Sequence, residues 1–262
     1  MVRVINVNDD YWRYVSLCTH IDEVNSERVK TSKMRLAWLK ERTKAERMVI
    51  KVAISDGGKA LGFIHSVPIE SPLSQMIGSE LMVIPCLTIN YQLVFNRVHG
   101  TGVGRLLVQS CEDEAKQNGL KGLAVYAYSG DFWYMPSAFF QKLGFRRVAK
   151  TSDIWVKTWS DIKEPTSFRK SYEYHPVSGK IVIDYFWSPF CLTVCREIRN
   201  IREVTYEFGE KVVLREYRSD DPEIFEKFGL FRALFINGQL KNWGYAAPKE
   251  ELRKVITKFT KP

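Results

Sequence analysis

The chain has no stretch of eighteen consecutive apolar residues in its 262, so the sequence offers no membrane-spanning helix. Its first ten residues, Met-Val-Arg-Val-Ile-Asn-Val-Asn-Asp-Asp, lack the apolar core of a secretory signal. The expectation is a cytoplasmic protein with no membrane partner. Cysteine is scarce: five residues, an odd and scattered set, which argues against a disulfide scaffold. Histidine is scarcer. His20, His65, His99 and His175 do not fall at ligand spacing, and Cys191 with Cys195 supply only half of a tetrahedral zinc site, so no metal is expected. The Gly-x-Ser-x-Gly elbow, the phosphate loop ending in Gly-Lys-Ser/Thr and the dinucleotide fingerprint Gly-x-Gly-x-x-Gly are all missing. No internal repeat or low-complexity tract is visible. The net charge of +9 is spread thinly along the chain. Its densest basic stretch, Arg28 to Arg47, is interleaved with Glu41 and Glu46 at helical spacing. That pattern reads as a solvated helix face, and no nucleic-acid partner is expected. A basic surface does favour a polyanionic ligand.

What the sequence does contain is concentrated at residues 99–108, His-Gly-Thr-Gly-Val-Gly-Arg-Leu-Leu-Val. An apolar run from Cys86 to Phe95 leads into three alternating glycines, and Val103, Leu107, Cys111 and Ala115 then recur four apart. This reads as strand, tight turn and amphipathic helix. Glycines let the backbone approach a ligand closely. The first amides of a helix lack internal partners and carry partial positive charge, which suits them to a pyrophosphate.

The segment resembles the acetyl-CoA motif of the GNAT family of N-acetyltransferases. That motif is a strand ending in valine, then Arg/Gln-Gly-x-Gly-x-Gly, then a helix opening on paired leucines. Val94, His99, Gly100, Gly102, Gly104, Leu106 and Leu107 fill those places, with His99 departing from the usual Arg or Gln. A second signature follows: a strand at 121–128 and a helix at 136–145 ending in Leu143-Gly144-Phe145. The resemblance implies a GNAT acyl-CoA acyltransferase fold, an α/β structure with a mixed, mostly antiparallel sheet and flanking helices. It implies acetyl-CoA or CoA as cofactor and an amine as acceptor. By the same resemblance Leu93, Val94 and Phe95 pair with the pantetheine arm, and His99, Gly100, Thr101, Gly102, Val103, Gly104 and Arg105 hold the pyrophosphate. Many family members carry a tyrosine acid four residues before the glycine. Here that residue is Phe140, which has no proton to give, so Tyr128 and Tyr134 become the candidate acids.

The chemistry sets a further demand. An alkylamine with a pKa near 10.4 is neutral in about 0.04% of molecules at pH 7, so supplying the neutral form costs about 4–5 kcal/mol without a base or desolvation. His65 on the third strand is the first candidate base, with Glu70, Glu80 and Asp131 as others. Cys86 and Cys111 sit in apolar patterns and read as buried, inert thiols.

Elements are expected in the order β-α-α-β-β-β-α-β-α-β-β over residues 1–160, the order of a GNAT domain. Asp56-Gly57-Gly58 marks a hairpin. Residues 161–179, with Pro165, Pro176 and Gly179, read as a linker. Over 180–262 the pattern restarts as β-α-β-α-β-β-α. Ile181–Phe186 is a buried-type strand, Trp187 to Cys195 enters a helix, and Asn237-Gly238 is a two-residue turn. This order resembles a small thioredoxin-like domain, and the two-domain arrangement resembles YoaP-like bacterial acetyltransferases. The cysteines depart from Cys-x-x-Cys, being Cys191-x-x-x-Cys195, and Leu230-Phe231-Arg232 stands where thioredoxins carry proline. Three functions stay open at this point: an N-acetyltransferase, a thiol/disulfide redox protein acting through Cys191 and Cys195, and a non-catalytic CoA-binding module.

Overall fold

β1 (Val2–Asn6) and β2 (Val49–Ser55) run antiparallel, Val2 opposite Ser55 and Asn6 opposite Lys51. The structure, a computed structural model, describes residues 1–18, 26–45, 48–90, 102–130, 134–149 and 152–260. They divide into two units, Met1–Glu23 with Lys40–Phe168, and Val24–Leu39 with Arg169–Pro262.

In the first unit Asp56, Gly57 and Gly58 turn β2 into β3 (Ala60–Pro68), with Gly58 at a φ of +75° that favours glycine. The chain continues through β4 (Met76–Ile77), β5 (Leu81–Ile89), β6 (Gly122–Tyr126), β7 (Arg146–Arg147) and β8 (Ile154–Thr158). Seven strands form one sheet in the order β1-β2-β3-β5-β6-β8-β7, antiparallel except for the β5–β6 pair. Helix α1 (Trp12–Leu17) lies on one face, where Tyr14 meets Phe63 edge-on at 5.9 Å. The long helix α3 (Val103–Gln117) lies on the other. Its predicted apolar stripe is the buried one: Val103, Leu107, Cys111 and Ala115 pack with Ile64, Met82, Ile84 and Leu123. Truncating one such side chain, as in Leu107→Ala, costs about 2–5 kcal/mol. Helix α4 (Ser137–Lys142) follows β6. The sequence places no strand within 160–179, yet Thr166–Ser167 forms β9 and pairs with β4.

In the second unit β10 (Ile181–Trp187) is buried on both faces, as a strand apolar at every position but Asp184 requires. It pairs parallel with β11 (Val212–Arg218) and antiparallel with β12 (Ala233–Ile236), which turns at Asn237-Gly238 into β13 (Gln239–Lys241). Helices α5 (Leu192–Phe208) and α7 (Lys249–Thr260) cover one face. On the other, Phe186 stacks on Tyr217 at 4.6 Å and Tyr172 on Phe235 at 3.7 Å, beside α6 (Pro222–Phe228). Asp184 is buried there and accepts from the Tyr172 and Tyr217 hydroxyls at 2.8 and 3.2 Å.

Helix α2 (Ser26–Ala45) corrects one expectation. Arg35 is 1% exposed, not part of a solvated basic face. Its Nε donates to the Phe190 carbonyl at 2.7 Å, and Trp38 Nε1 donates to Asp220 at 2.8 Å. Residues 24–39, within the span read as the first domain, belong to the second unit.

Candidate functional site

The strand pair at the centre of the large sheet opens along its length. β5 and β6 run parallel and pair at Leu81–Gly122, Met82–Leu123 and Val83–Ala124, and among the described residues the pairing goes no further. β5 nevertheless continues to Ile89, held on its other side by β3. The β3–β5 register slips between His65–Cys86 and Val67–Val83, so β5 spends one residue more than β3. Pro85 lies in this bulge. A proline cannot donate to a ladder, so a bulge or an open edge is where a strand tolerates one. A bulge also bends its strand and raises the local twist. Both effects carry β5 away from β6 from this residue onward.

One of the three predicted catalytic side chains, Tyr134, reaches that bend. Tyr134 follows β6, and its hydroxyl donates to the Pro85 carbonyl at 2.9 Å. The segment bearing it is pinned by its own backbone: Tyr128 N–H donates to the Met135 carbonyl at 3.0 Å, and Ser137 N–H to the Tyr128 carbonyl at 2.8 Å. His65 lies on β3 opposite Cys86, buried, with its ring edge-on to Phe63 at 5.2 Å on the α1 face of the sheet, whereas the Tyr134 ring packs with the cluster under α3. Burial first, and then the charges of Asp153 and Tyr126, raise the Tyr128 pKa above the ordinary phenol value. Glu80, another candidate base, is committed to Lys121 at 2.9 Å, and Asp131 lies outside the described residues. Phe140 is wholly buried between Phe139 and Phe145, with ring centroids at 5.0 and 5.4 Å.

The glycine turn is seen from Gly102 onward. Leu93, Val94, Phe95, His99, Gly100 and Thr101 lie outside the described residues. Gly102 is the N-cap of α3 at φ +73°, and its carbonyl receives the first helical bond, from Leu106 N–H at 3.0 Å. No side chain among the described residues caps this end, and the first turn holds no acid. It holds Arg105 instead, exposed, a positive charge beside the positive end of the helix dipole. The first-turn amides therefore suit an anion, and the cation beside them adds to the attraction. Val103 is buried under the helix. Gly104 serves packing rather than the turn, since a Cβ there would stand 3.0 Å from Phe139 Cζ and 3.1 Å from Ile89 Cδ1. Its missing side chain lets α3 sit against α4 and β5.

In the second unit Cys191 is the N-cap of α5, and Cys195 lies one turn inside. Both are free thiols. Cys195 is buried, donates to the Pro189 carbonyl at 3.4 Å, and is pushed up to about 12 chiefly by that burial. Arg232, at the entry to β12, is held on the buried Glu197 by bonds of 2.8 and 3.1 Å, and Glu197 also accepts from Tyr185 and from the Ala247 amide. Sequence reading passed over both the Arg232–Glu197 pair and Pro85. The signal for Pro85 was present: a proline inside the otherwise apolar run Leu81–Ile89.

No helix among the described residues is long and apolar enough to cross a membrane. No protein-family model matches the chain, and neither does any curated protein. Solved structures do align with it. A GNAT-family acetyltransferase from Brucella melitensis, crystallised with acetyl-CoA, is 15% identical with a TM-score of 0.40, over 63% of this chain and 92% of that one. A PaiA N-acetyltransferase from Thermoplasma acidophilum, crystallised with coenzyme A, is 13% identical with a TM-score of 0.41, over 61% and 99%. A GNAT-family acetyltransferase from Staphylococcus aureus is 12% identical with a TM-score of 0.42, over 60% and 99%.

Proposed function

We propose that the chain is an acetyl-CoA-dependent N-acetyltransferase of the GNAT type acting on an amine. The observation that carries this reading is the opened β5–β6 pair beside the uncapped, glycine-led start of α3. An extended ligand with amide groups fits a strand edge, and a diphosphate fits the helix start. The residues present suit acetyl-CoA in both respects. The amides of Val103, Gly104 and Arg105, with the Arg105 side chain, would hold the pyrophosphate, together with the His99–Thr101 segment. Backbone groups of β5 beyond Val83 would hold the pantetheine arm. The cofactor supplies an activated acetyl thioester.

In this reading Tyr134 is the acid. Its hydroxyl sits at the bend on the Pro85 carbonyl, beside the open strand edge. His65 is the base. The second unit we read as a thioredoxin-like domain, on the strand order β11-β10-β12-β13 with helices on both faces. The dithiol reading loses its basis here, because Cys195 is buried and bonded to a carbonyl.

Isothermal calorimetry with CoA tests the central claim. Saturable binding that weakens in Gly102→Ala is expected, since alanine disfavours the left-handed turn. Absence of saturable binding to the wild-type protein refutes it.

A further inference from the structure

β6 carries a hydroxyl across the breach from Pro85. The last paired rung is Val83–Ala124, and continuing that parallel register two residues brings Tyr126 level with Pro85. Strand side chains alternate between faces. Leu123, Val125 and Ala127 lie in the cluster under α3, so Tyr126 projects from the opposite face. His65 shares that face, since its neighbour Phe63 meets Tyr14 of α1. Tyr134 packs under α3 instead. The breach therefore has two unlike sides: Tyr134 and the start of α3 on one, His65 and Tyr126 on the other.

The Tyr126 hydroxyl donates to the Gln75 carbonyl at 2.9 Å and lies 3.0 Å from Ser167 Oγ. Both partners are fixed by their own backbone. Gln75 closes a tight turn over Pro72–Ser74, at φ +57°. Beside it the buried Ser74 hydroxyl donates to the Ile69 carbonyl at 2.6 Å and accepts from Met76 N–H at 3.1 Å. Ser167 belongs to β9, opposite Met76 of β4. A Cβ on Gly78 would stand 3.4 Å from Pro165 Cβ, so β9 is drawn close against this turn. Three oxygens thus meet at one point, and among the described residues no charged side chain bonds any of them. Burial first, and then the charge of Asp153, raise the Tyr126 pKa against the bond from Ser167, so the hydroxyl keeps its proton at neutral pH. Asp153 is itself paired with Arg147 at 3.3 Å. Ser167 is exposed, which opens the cluster to a ligand. The Gln75 carbonyl has a second lone pair, the Tyr126 oxygen can accept, and the Ser167 hydroxyl can turn to donate. An uncharged group that both donates and accepts matches this set, and a hydroxyl has that character.

We propose that Gln75, Tyr126 and Ser167 form a subsite for the tail of the acceptor, and that the acceptor is an amine bearing a hydroxyl group. This rests on the acetyl-CoA reading above. The acceptor nitrogen enters the breach from the His65 side, and its hydroxyl rests on the three oxygens. An alkyl tail of the same length would leave those oxygens without the bonds they are placed to make, which is how a polar site rejects an analogue lacking its polar group. Ser167 gives the segment beyond residue 160 a share in choosing the substrate.

The test measures kcat/KM on full-length protein at saturating acetyl-CoA. Ethanolamine and propanolamine are each compared with the alkylamine in which a methyl replaces the hydroxyl, and with the matching diamine. The amino alcohols should be preferred over the alkylamines by at least about tenfold, the effect of two hydrogen bonds lost together. Ser167→Ala and Tyr126→Phe should each cut that preference by about three- to fivefold, with calorimetric affinity for CoA retained. The readout is a ratio within one variant, so a loss of folded protein does not move it. Ser167→Ala alters an exposed side chain, which keeps the test decisive even where Tyr126→Phe loosens the Gln75 contact. Wild-type protein that binds CoA but turns over both kinds of amine equally, or neither, overturns the subsite and leaves the acetyltransferase reading intact. So does a preference that survives both substitutions, or a diamine that outruns the amino alcohol, since an ammonium group calls for a charged partner. Protein that binds no CoA removes both.

Discussion

Replacing Tyr134 by phenylalanine separates chemistry from architecture in one atom. The hydroxyl makes a partly buried hydrogen bond to the Pro85 carbonyl at 2.9 Å. A bond of this kind contributes about 0.5–1.5 kcal/mol, and the low end applies because water can reach a carbonyl beside an open strand edge. The ring remains packed in the core cluster under α3. Tyr134→Phe should therefore unfold at a urea midpoint lowered by no more than this amount implies. The effect on rate is of another order. Loss of a positioned proton donor lowers turnover by about 10²–10⁴-fold, or about 2.7–5.4 kcal/mol of barrier. The assay is steady-state release of CoA from acetyl-CoA over a panel of alkylamines, with kcat and KM resolved, beside urea unfolding of the same preparation. The expected pattern is a fall in kcat of at least about a hundredfold with KM for acetyl-CoA little changed. Tyr128→Phe, measured in parallel, should stay within about threefold of wild type, since the proton donor in this reading is Tyr134. A Tyr134→Phe enzyme that turns over like wild type refutes the assignment.

Three further outcomes follow from the same geometry. Phe140→Tyr puts a hydroxyl between Phe139 and Phe145. It should cost about 1–3 kcal/mol in chemical denaturation and bring no gain in kcat, because a buried donor is left without an acceptor. Gly102→Ala should cost about 1–2 kcal/mol through its left-handed backbone, as no atom lies within 4 Å of the new Cβ, whereas Gly104→Ala acts by contact with Phe139 and Ile89; thermal unfolding of the two with and without CoA separates the mechanisms. Glu112 is opposed by burial, but bonds from Lys116 at 2.7 Å and Lys157 at 2.5 Å outweigh it and hold its carboxyl below the usual range. A lowered native pKa gives stability that is present above the unfolded value near 4.3 and lost as pH falls through the native one, so Glu112→Gln should flatten the acid limb of a stability–pH curve, which urea midpoints from pH 6 to pH 3 would register.

Local patterns carried most of the architecture. The four-residue spacing from Val103 to Ala115 named the buried stripe of α3, and Asn237-Gly238 named a turn whose φ values are +47° and +75°. What escaped was non-local. The β4–β9 pair is two residues on each side, too short for a period to show. Arg35 reads as solvated because nothing near it in sequence accepts its proton; its acceptor, the Phe190 carbonyl, lies 155 residues on. The site was legible in kind. His65 and Tyr134 could be proposed singly from their elements. The bend beside Tyr134 depends on a one-residue slip between β3 and β5, which no count along one strand reveals.

Pro85 has an effect beyond bending its strand. In an extended chain the N–H and C=O of one residue point to the same side. At residue 85 the open edge therefore offers no hydrogen, and its oxygen already takes the Tyr134 hydroxyl. A strand from another molecule that tried to extend the sheet would meet a missing rung at the start of the breach, so intermolecular zippering is blocked where the sheet is weakest. One imino acid thus interrupts the row of donors along that edge at the residue where the two strands part.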